Sequence, residues 1–308
     1  MSGNIDDTSC RESAYAATLA RRKREWTSAR LTAPGLEFDC SVAGSPDGVP
    51  VLLLHGFGVS RHFWDRQVPA LADAGYFAIA PNQRGYSPGA RPDPKDLDAY
   101  HIDRLVGDAL DIVAAAGHGG RRFHLVGHDW GGSLSWIIAA RHPERLRSLS
   151  VLSRPHPASF LRALALPDGE QKRRSGHHTA FLEPDAVPKL LANNCEWLRS
   201  RHMRQGMPEA ATDAHMSVLG NEAALEAALA WYRSSGPRQP LGPIKVPTLY
   251  IWGDADDTVG RVAAEGTGEF IDAPYHFEVL AGVGHYAADQ VPDKVNALLL
   301  AHLRRHAD

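Results

Sequence analysis

The sequence predicts an α/β protein: a mostly parallel central sheet with helices on both faces, interrupted by one helical insertion. Three observations carry that prediction. Short apolar runs alternate with helix-like segments along most of the chain. The apolar run over 49–54 stops abruptly at His55-Gly56, as a strand buried on both faces does at a sheet edge. Between His156 and Gly242 the alternation lapses, leaving only helical stretches. A chain of 308 residues, 44% hydrophobic and 22% charged, suits one such domain with an insertion and excludes collagen, coiled coil and wholesale disorder.

Taken in order, residues 12–26 read as a short helix ending in Arg21-Arg22-Lys23-Arg24, a solvated helix end within an N-terminal helical extension over residues 1–30. Residues 36–42 alternate as a half-buried strand, and 49–54 form a buried, parallel one. Further strands are predicted at 77–80, 123–126, 149–152, 247–252 and 277–280. The core therefore comprises 31–155 and 243–308. Residues 156–242, with helices over 185–197 and 221–231, form an inserted lid that emerges where strands end.

Lys and Arg number 33 against 36 Asp and Glu, a net charge of −3 that offers no footprint for nucleic acid or an anionic membrane. Cys10, Cys40 and Cys195 are too widely spaced for a zinc pattern or a redox pair and fit a reducing compartment. No run approaches a membrane span, and no signal-peptide core is visible, so a cytoplasmic protein is expected. Neither a Walker loop, a GxGxxG fingerprint nor HExxH is present, so no nucleotide cofactor or metal is expected.

The reactive centre is Gly127-His128-Asp129-Trp130-Gly131-Gly132, between a buried strand and the helical stretch 133–140. A turn that sharp strains its central residue, while glycines let neighbouring backbone pass close by, so Asp129 is expected to stand exposed above the sheet. A carboxylate there attacks carbon by displacement and forms an ester, which excludes serine esterase chemistry; alternatively, Asp129 only caps the next helix. An ester needs water activated by a base whose ring is oriented. His285, in Gly282-Val283-Gly284-His285-Tyr286, is the strongest candidate among 16 histidines. The loop after residue 252 offers Asp254, Asp256 and Asp257 as its partner; Asp256 is preferred, Asp257 next, and the whole cluster could instead be a solvated turn capping a helix near Val259. After the Leu52-Leu53-Leu54 strand, His55-Gly56-Phe57-Gly58 places the Phe57 amide where it could join that of Trp130 in an oxyanion hole.

Together with Pro81-Asn82-Gln83-Arg84-Gly85-Tyr86-Ser87 and His142-Pro143-Glu144-Arg145, these motifs resemble the α/β-hydrolase fold family. Within it they are similar to the aspartate-nucleophile branch of epoxide hydrolases and haloalkane dehalogenases. The resemblance covers nearly all of the chain after residue 30. It implies a small hydrophobic organic substrate and water, no cofactor, and two lid donors to the epoxide oxygen, usually tyrosines. Tyr232 in Trp231-Tyr232-Arg233 looks like one. The other position is best matched by His177 ahead of Phe181, with His178 as its alternative, a departure that would make the donor pH-sensitive. Gly58 stands where epoxide hydrolases commonly carry Pro, implying a less rigid loop. Haloalkane dehalogenation is the alternative activity, although Phe57 occupies the place of a halide-binding Asn. Fluoroacetate dehalogenases carry arginines where Trp130, Gly131 and Gly132 stand here. A ligand receptor on a hydrolase fold is a third reading, which a complete triad disfavours.

Overall fold

Strands β1 (Thr27–Ala33), β2 (Leu36–Ala43), β3 (Val49–Leu54), β4 (Tyr76–Pro81), β5 (Phe123–His128), β6 (Leu146–Leu152), β7 (Thr248–Gly253) and β8 (Tyr275–Leu280) form one sheet. Their order is β1-β2-β4-β3-β5-β6-β7-β8. The pairs β1/β2 and β2/β4 are antiparallel and all others parallel, as an α/β sheet with an antiparallel edge requires. The computed structural model describes residues 27–167, 169–234 and 241–307. The helix expected over 12–26, its basic run Arg21-Arg22-Lys23-Arg24 and Cys10 lie outside the described residues.

One expectation is corrected at the N-terminus. Residues 27–30, assigned to a helical extension, belong to β1, which pairs with β2 from Thr27↔Val42 to Ala33↔Leu36. Pro34-Gly35, with Gly35 at φ 74°, makes the hairpin turn that joins them. The local pattern of β1 is weakly apolar, and only its partner strand makes it a strand.

Helices α1 (Gln67–Asp73), α2 (Ile102–Val113) and α3 (Trp130–Arg141) connect the first strands. Between β6 and β7 come α4 (Pro157–Leu164), α5 (Glu170–Arg174), α6 (His177–Ala180), α7 (Ala186–Arg204), α8 (Glu209–Leu219) and α9 (Glu222–Arg233), with no strand among the described residues. Helices α10 (Arg261–Glu265), α11 (Ala287–Gln290) and α12 (Pro292–Arg305) complete the chain. Strand alternation divides the core. Leu52 and Leu54 pack with Ile112, Leu134 and Trp136 on one face, and Val51 and Leu53 with Leu71, Leu299 and Leu303 on the other. Among the described residues no helix is long and apolar enough to cross a membrane. Cys40 and Cys195 are buried free thiols.

The expected helix over 185–197 is broken in α7. Asn193, Asn194 and Cys195 take left-handed φ between 49° and 61°, a conformation asparagine tolerates better than most residues. Helix α9 is regular and firmly seated. The Asn221 side chain caps it by accepting from the Ala224 amide at 3.0 Å, and the Trp231 indole donates to the Arg84 carbonyl at 3.0 Å. Replacing Asn221 by Ala should destabilise the fold by about 1 kcal/mol. Calorimetry should register that as a fall in Tm of roughly 2–4 °C for a domain of this size.

Candidate active site

At the end of β5 the backbone of Asp129 adopts φ 50°, ψ −116°, the strained turn expected of a residue between a buried strand and a helix. Glycines make this possible. A Cβ on Gly131 would lie 2.2 Å from the Leu54 carbonyl oxygen, so α3 can start against β3 only because that residue has no side chain. A Cβ on Gly56 would lie 2.4 Å from the Asp129 Cβ and 2.7 Å from its Oδ1, so the carboxylate itself fills that space. The Phe57 amide donates to Asp129 Oδ1 at 3.0 Å. No capping hydrogen bond forms from the Asp129 side chain to α3, so the capping alternative is not realised. Asp129 does not stand exposed as expected. It is 8% exposed, because side chains from the β6–β7 helices close over it.

The ring of His285, on the loop after β8, meets this turn. Its Nδ1 lies 3.0 and 3.1 Å from the two carboxylate oxygens of Asp256, which fixes the Nδ1 proton and directs the Nε2 lone pair inward. Nε2 is 3.8 Å from Asp129 Oδ2. Asp256 is fully buried, and its Oδ1 also accepts from the amides of Thr258 and Val259 at 2.7 and 3.1 Å. Asp257, the alternative partner, turns instead to Arg201 at 2.9 Å, and Asp254 accepts from the Gly282 amide near the surface. The backbone of His285 is held on both sides. Its N–H donates to Gln205 Oε1 at 2.8 Å, and its carbonyl accepts from Ser153 Oγ at 2.9 Å and His128 Nε2 at 3.1 Å.

Phe57, Phe181, His177, Arg201, Tyr232 and Thr258 enclose Asp129 and His285 in a cavity of about 10 Å³, room for one water. Tyr232, in the last turn of α9, packs its ring at 5.1 Å from Trp130 and 5.3 Å from Phe57. Burial, with the Asp129 carboxylate beside it, pushes the phenol well above its usual pKa, so it stays protonated. His177 reaches the cavity but differs from the expected donor. Its Nδ1 is 3.1 Å from the Arg174 carbonyl, which can only accept, so the neutral ring carries its proton there and presents a lone pair at Nε2. Burial and the neighbouring His178 lower its pKa to about 4, well outside the neutral range the sequence suggested. His178 lies edge-on to both His177 and Tyr232, at 4.6 and 5.4 Å, and is also lowered to about 4 by burial.

Gly58 has φ 79°, a value closed to proline. The Gly that replaces the family's Pro therefore fits a left-handed turn rather than a looser version of the same one. Arg201, Gln205 and Ser153 escaped the sequence reading: two lie in α7 or just after it with no motif around them, and Ser153 is one of many serines. Burial raises the Asp129 carboxyl, but the charge of His285, Arg154 and the Phe57 N–H together hold it well below the usual carboxylate range. Burial lowers His285, and Asp256 with Asp129 more than reverses this, so its pKa lies above 6.5.

Residues 49–292 match the alpha/beta hydrolase fold family. An AB hydrolase superfamily protein of Bacillus subtilis is 30% identical over 88% of this chain and 95% of its own length. Epoxide hydrolase A of Mycobacterium tuberculosis is 29% identical over 85% of this chain and 92% of its own. The crystal structure of epoxide hydrolase A from Mycobacterium thermoresistibile superposes with a TM-score of 0.75 at 26% identity, covering 91% of this chain and 98% of the other.

The partner assignment predicts an NMR titration. The His285 ring signal should titrate above the usual histidine range in the free protein, and Asp256→Asn should lower the midpoint, since burial then acts with far less opposition. Asp257→Asn should leave the Asp256 contact in place and move the midpoint much less.

Proposed function

The chain belongs to the alpha/beta hydrolase fold family, and from that premise we propose that it hydrolyses epoxides to vicinal diols through an ester on Asp129. The observation that carries this reading is a carboxylate, not a hydroxyl, on the strained turn, with one oxygen held by the Phe57 amide and the other 3.8 Å from His285 Nε2. The epoxide hydrolase names of several relatives support it.

In the first half-reaction Asp129 Oδ2, the oxygen not held by Phe57, attacks an epoxide carbon; the C–O bond breaks, and the departing oxygen takes a proton or hydrogen bond from Tyr232. Held in its Nδ1–H form, His177 cannot share that donation at neutral pH, so Tyr232 acts as the principal donor. In the second half, His285 Nε2 removes a proton from water as its oxygen adds to the Asp129 carbonyl carbon. The Phe57 and Trp130 amides hold the resulting oxyanion. Collapse expels the diol oxygen, which takes the proton from His285; one water oxygen stays on Asp129, and the second proton of that water replaces the one drawn from Tyr232. Asp256 orients the base and stabilises its charged form. Residues 156–242 act as the lid that shuts the cavity around a small hydrophobic substrate.

Replacing His285 by Gln should stop the second half and leave an adduct equal to the whole epoxide mass. An adduct lacking a halogen after exposure to haloalkanes would instead identify a dehalogenase, and an intact tightly bound ligand with no adduct a receptor. In a single wild-type turnover in heavy-oxygen water, the label should enter the Asp129 side chain; its direct appearance in the diol would overturn the mechanism. Tyr232→Phe should slow ester formation on the order of 10²-fold, the usual cost of removing one donor to a developing oxyanion.

Ester hydrolysis should accelerate as pH rises through the pKa of His285, because only the neutral ring accepts the proton. Esterified Asp129 no longer raises that pKa, so the kinetic midpoint should fall below the NMR midpoint of the free protein. Coincident midpoints would contradict the proposed coupling.

A further inference from the structure

Arg154 follows a second strained position. Ser153 has φ 62°, anchored by its amide to the Ile251 carbonyl at 2.9 Å and by its hydroxyl to the His285 carbonyl. This turn at the end of β6 sends the Arg154 side chain inward beside α3, across Gly132, where a Cβ would lie 2.8 Å from the Arg154 Cβ. The guanidinium stacks over Phe160 at 4.2 Å, and Phe160 in turn stacks near His178. Among the described residues its head group has no hydrogen-bond or ion-pair partner, and its Nε is buried unpaired. The side chain nevertheless keeps part of its surface open. The charged group it feels most is Asp129, and Tyr232 comes next.

A half-buried cation without a bonded counter-ion is costly, and the usual remedy, a carboxylate in direct contact, is missing here. The neighbouring arginine of the cavity, Arg201, has that remedy in Asp257. Arg154 thus differs from Arg201 in having donors left over, on a guanidinium that sits over the first ring of the Phe160, His178 and Tyr232 row leading to the cavity. We propose that Arg154 binds the carboxylate of the substrate, making the preferred substrate an epoxide that also carries a carboxylic acid. This rests on the epoxide-opening reading of the same site. Planar donors suit a carboxylate bidentately, and the Phe160 face keeps the fork oriented while leaving its edge for the ligand. Gly132 is then the position that admits the arginine stem.

The test compares epoxycarboxylates with their primary amides, which match them in shape but not in charge, with zero, two or four methylenes between epoxide and carboxyl. For at least one length, the wild-type kcat/KM should favour the acid by about tenfold or more, the effect expected of one charge-assisted pair. Arg154→Met should reduce that ratio to near one, and Arg154→Lys should restore only part of it, because a point charge lacks the fork. If amides are turned over but no acid is preferred, or the preference survives Arg154→Met, the carboxylate proposal falls while the epoxide reading stands. If neither series reacts, the epoxide reading fails, and calorimetry with the saturated carboxylates reads the site directly: binding lost in Arg154→Met keeps the anion contact, and absent binding removes it. Should Arg154→Met fail to fold, inhibition of wild-type turnover of an amide by saturated carboxylates, but not by saturated amides, supports the contact; equal inhibition by both overturns it.

Discussion

The close approach of three backbone segments around Asp129 sets the terms for the rest of the site. The start of α3 lies against the end of β3, and the 55–58 loop lies against the Asp129 side chain, at distances a single Cβ at Gly131 or Gly56 would prohibit. A positive-φ aspartate costs on the order of 1–3 kcal/mol and persists only where its surroundings over-determine it. Here β5 is hydrogen-bonded on both sides, by β3 and by β6, so the strand cannot relax to relieve its last residue. The same packing that creates the strain delivers the Phe57 amide to one carboxylate oxygen and leaves the other toward His285. Position and reactivity follow from one constraint.

Charge is the second thing this arrangement controls. Asp129 and His285 stabilise each other's charged forms in the free protein: the ring helps hold the carboxyl low, and the carboxylate helps hold the imidazole high. Such mutual support would hinder a base that has to be neutral when water arrives. In the proposed reaction the conflict resolves itself, because attack converts Asp129 into an uncharged ester at the moment before His285 is needed. Arg201 contributes by occupying Asp257, which leaves Asp256 as the carboxylate facing the ring. Two adjacent acids on one loop therefore differ in partners rather than in kind.

The sheet was legible because its strands are nearly continuous apolar runs, a pattern that needs no tertiary information. The first strand was not, since Thr27–Ala33 becomes a strand through its pairing with β2 rather than through its own residues. Asp129, Asp256 and His285 were visible as polar residues on short turns just beyond buried strands. The choice between Asp256 and Asp257 depended on where an arginine in α7 points, and α7 carries no motif that announces it. His177 shows a different limit. The sequence reveals an imidazole in the right neighbourhood, whereas the nitrogen that holds its proton is decided by the Arg174 carbonyl, a backbone atom whose position only the folded chain defines.

That tautomer places more weight on Trp130. With a His177 lone pair facing the cavity, the opening oxygen of the proposed reaction depends on the Tyr232 phenol, whose ring packs edge-on against the Trp130 indole at 5.1 Å. That packing fixes where the phenol sits at the stage when negative charge would develop on the substrate. The amide of the same residue belongs to the oxyanion hole proposed for the second stage. One residue would thus serve both halves of the proposed reaction, through its ring in the first and its amide in the second, and its backbone position follows directly from the turn that presents Asp129. A halide would be the poorer fit in this arrangement, since Phe57 supplies a ring where the resemblance to haloalkane dehalogenases would call for a second polar donor.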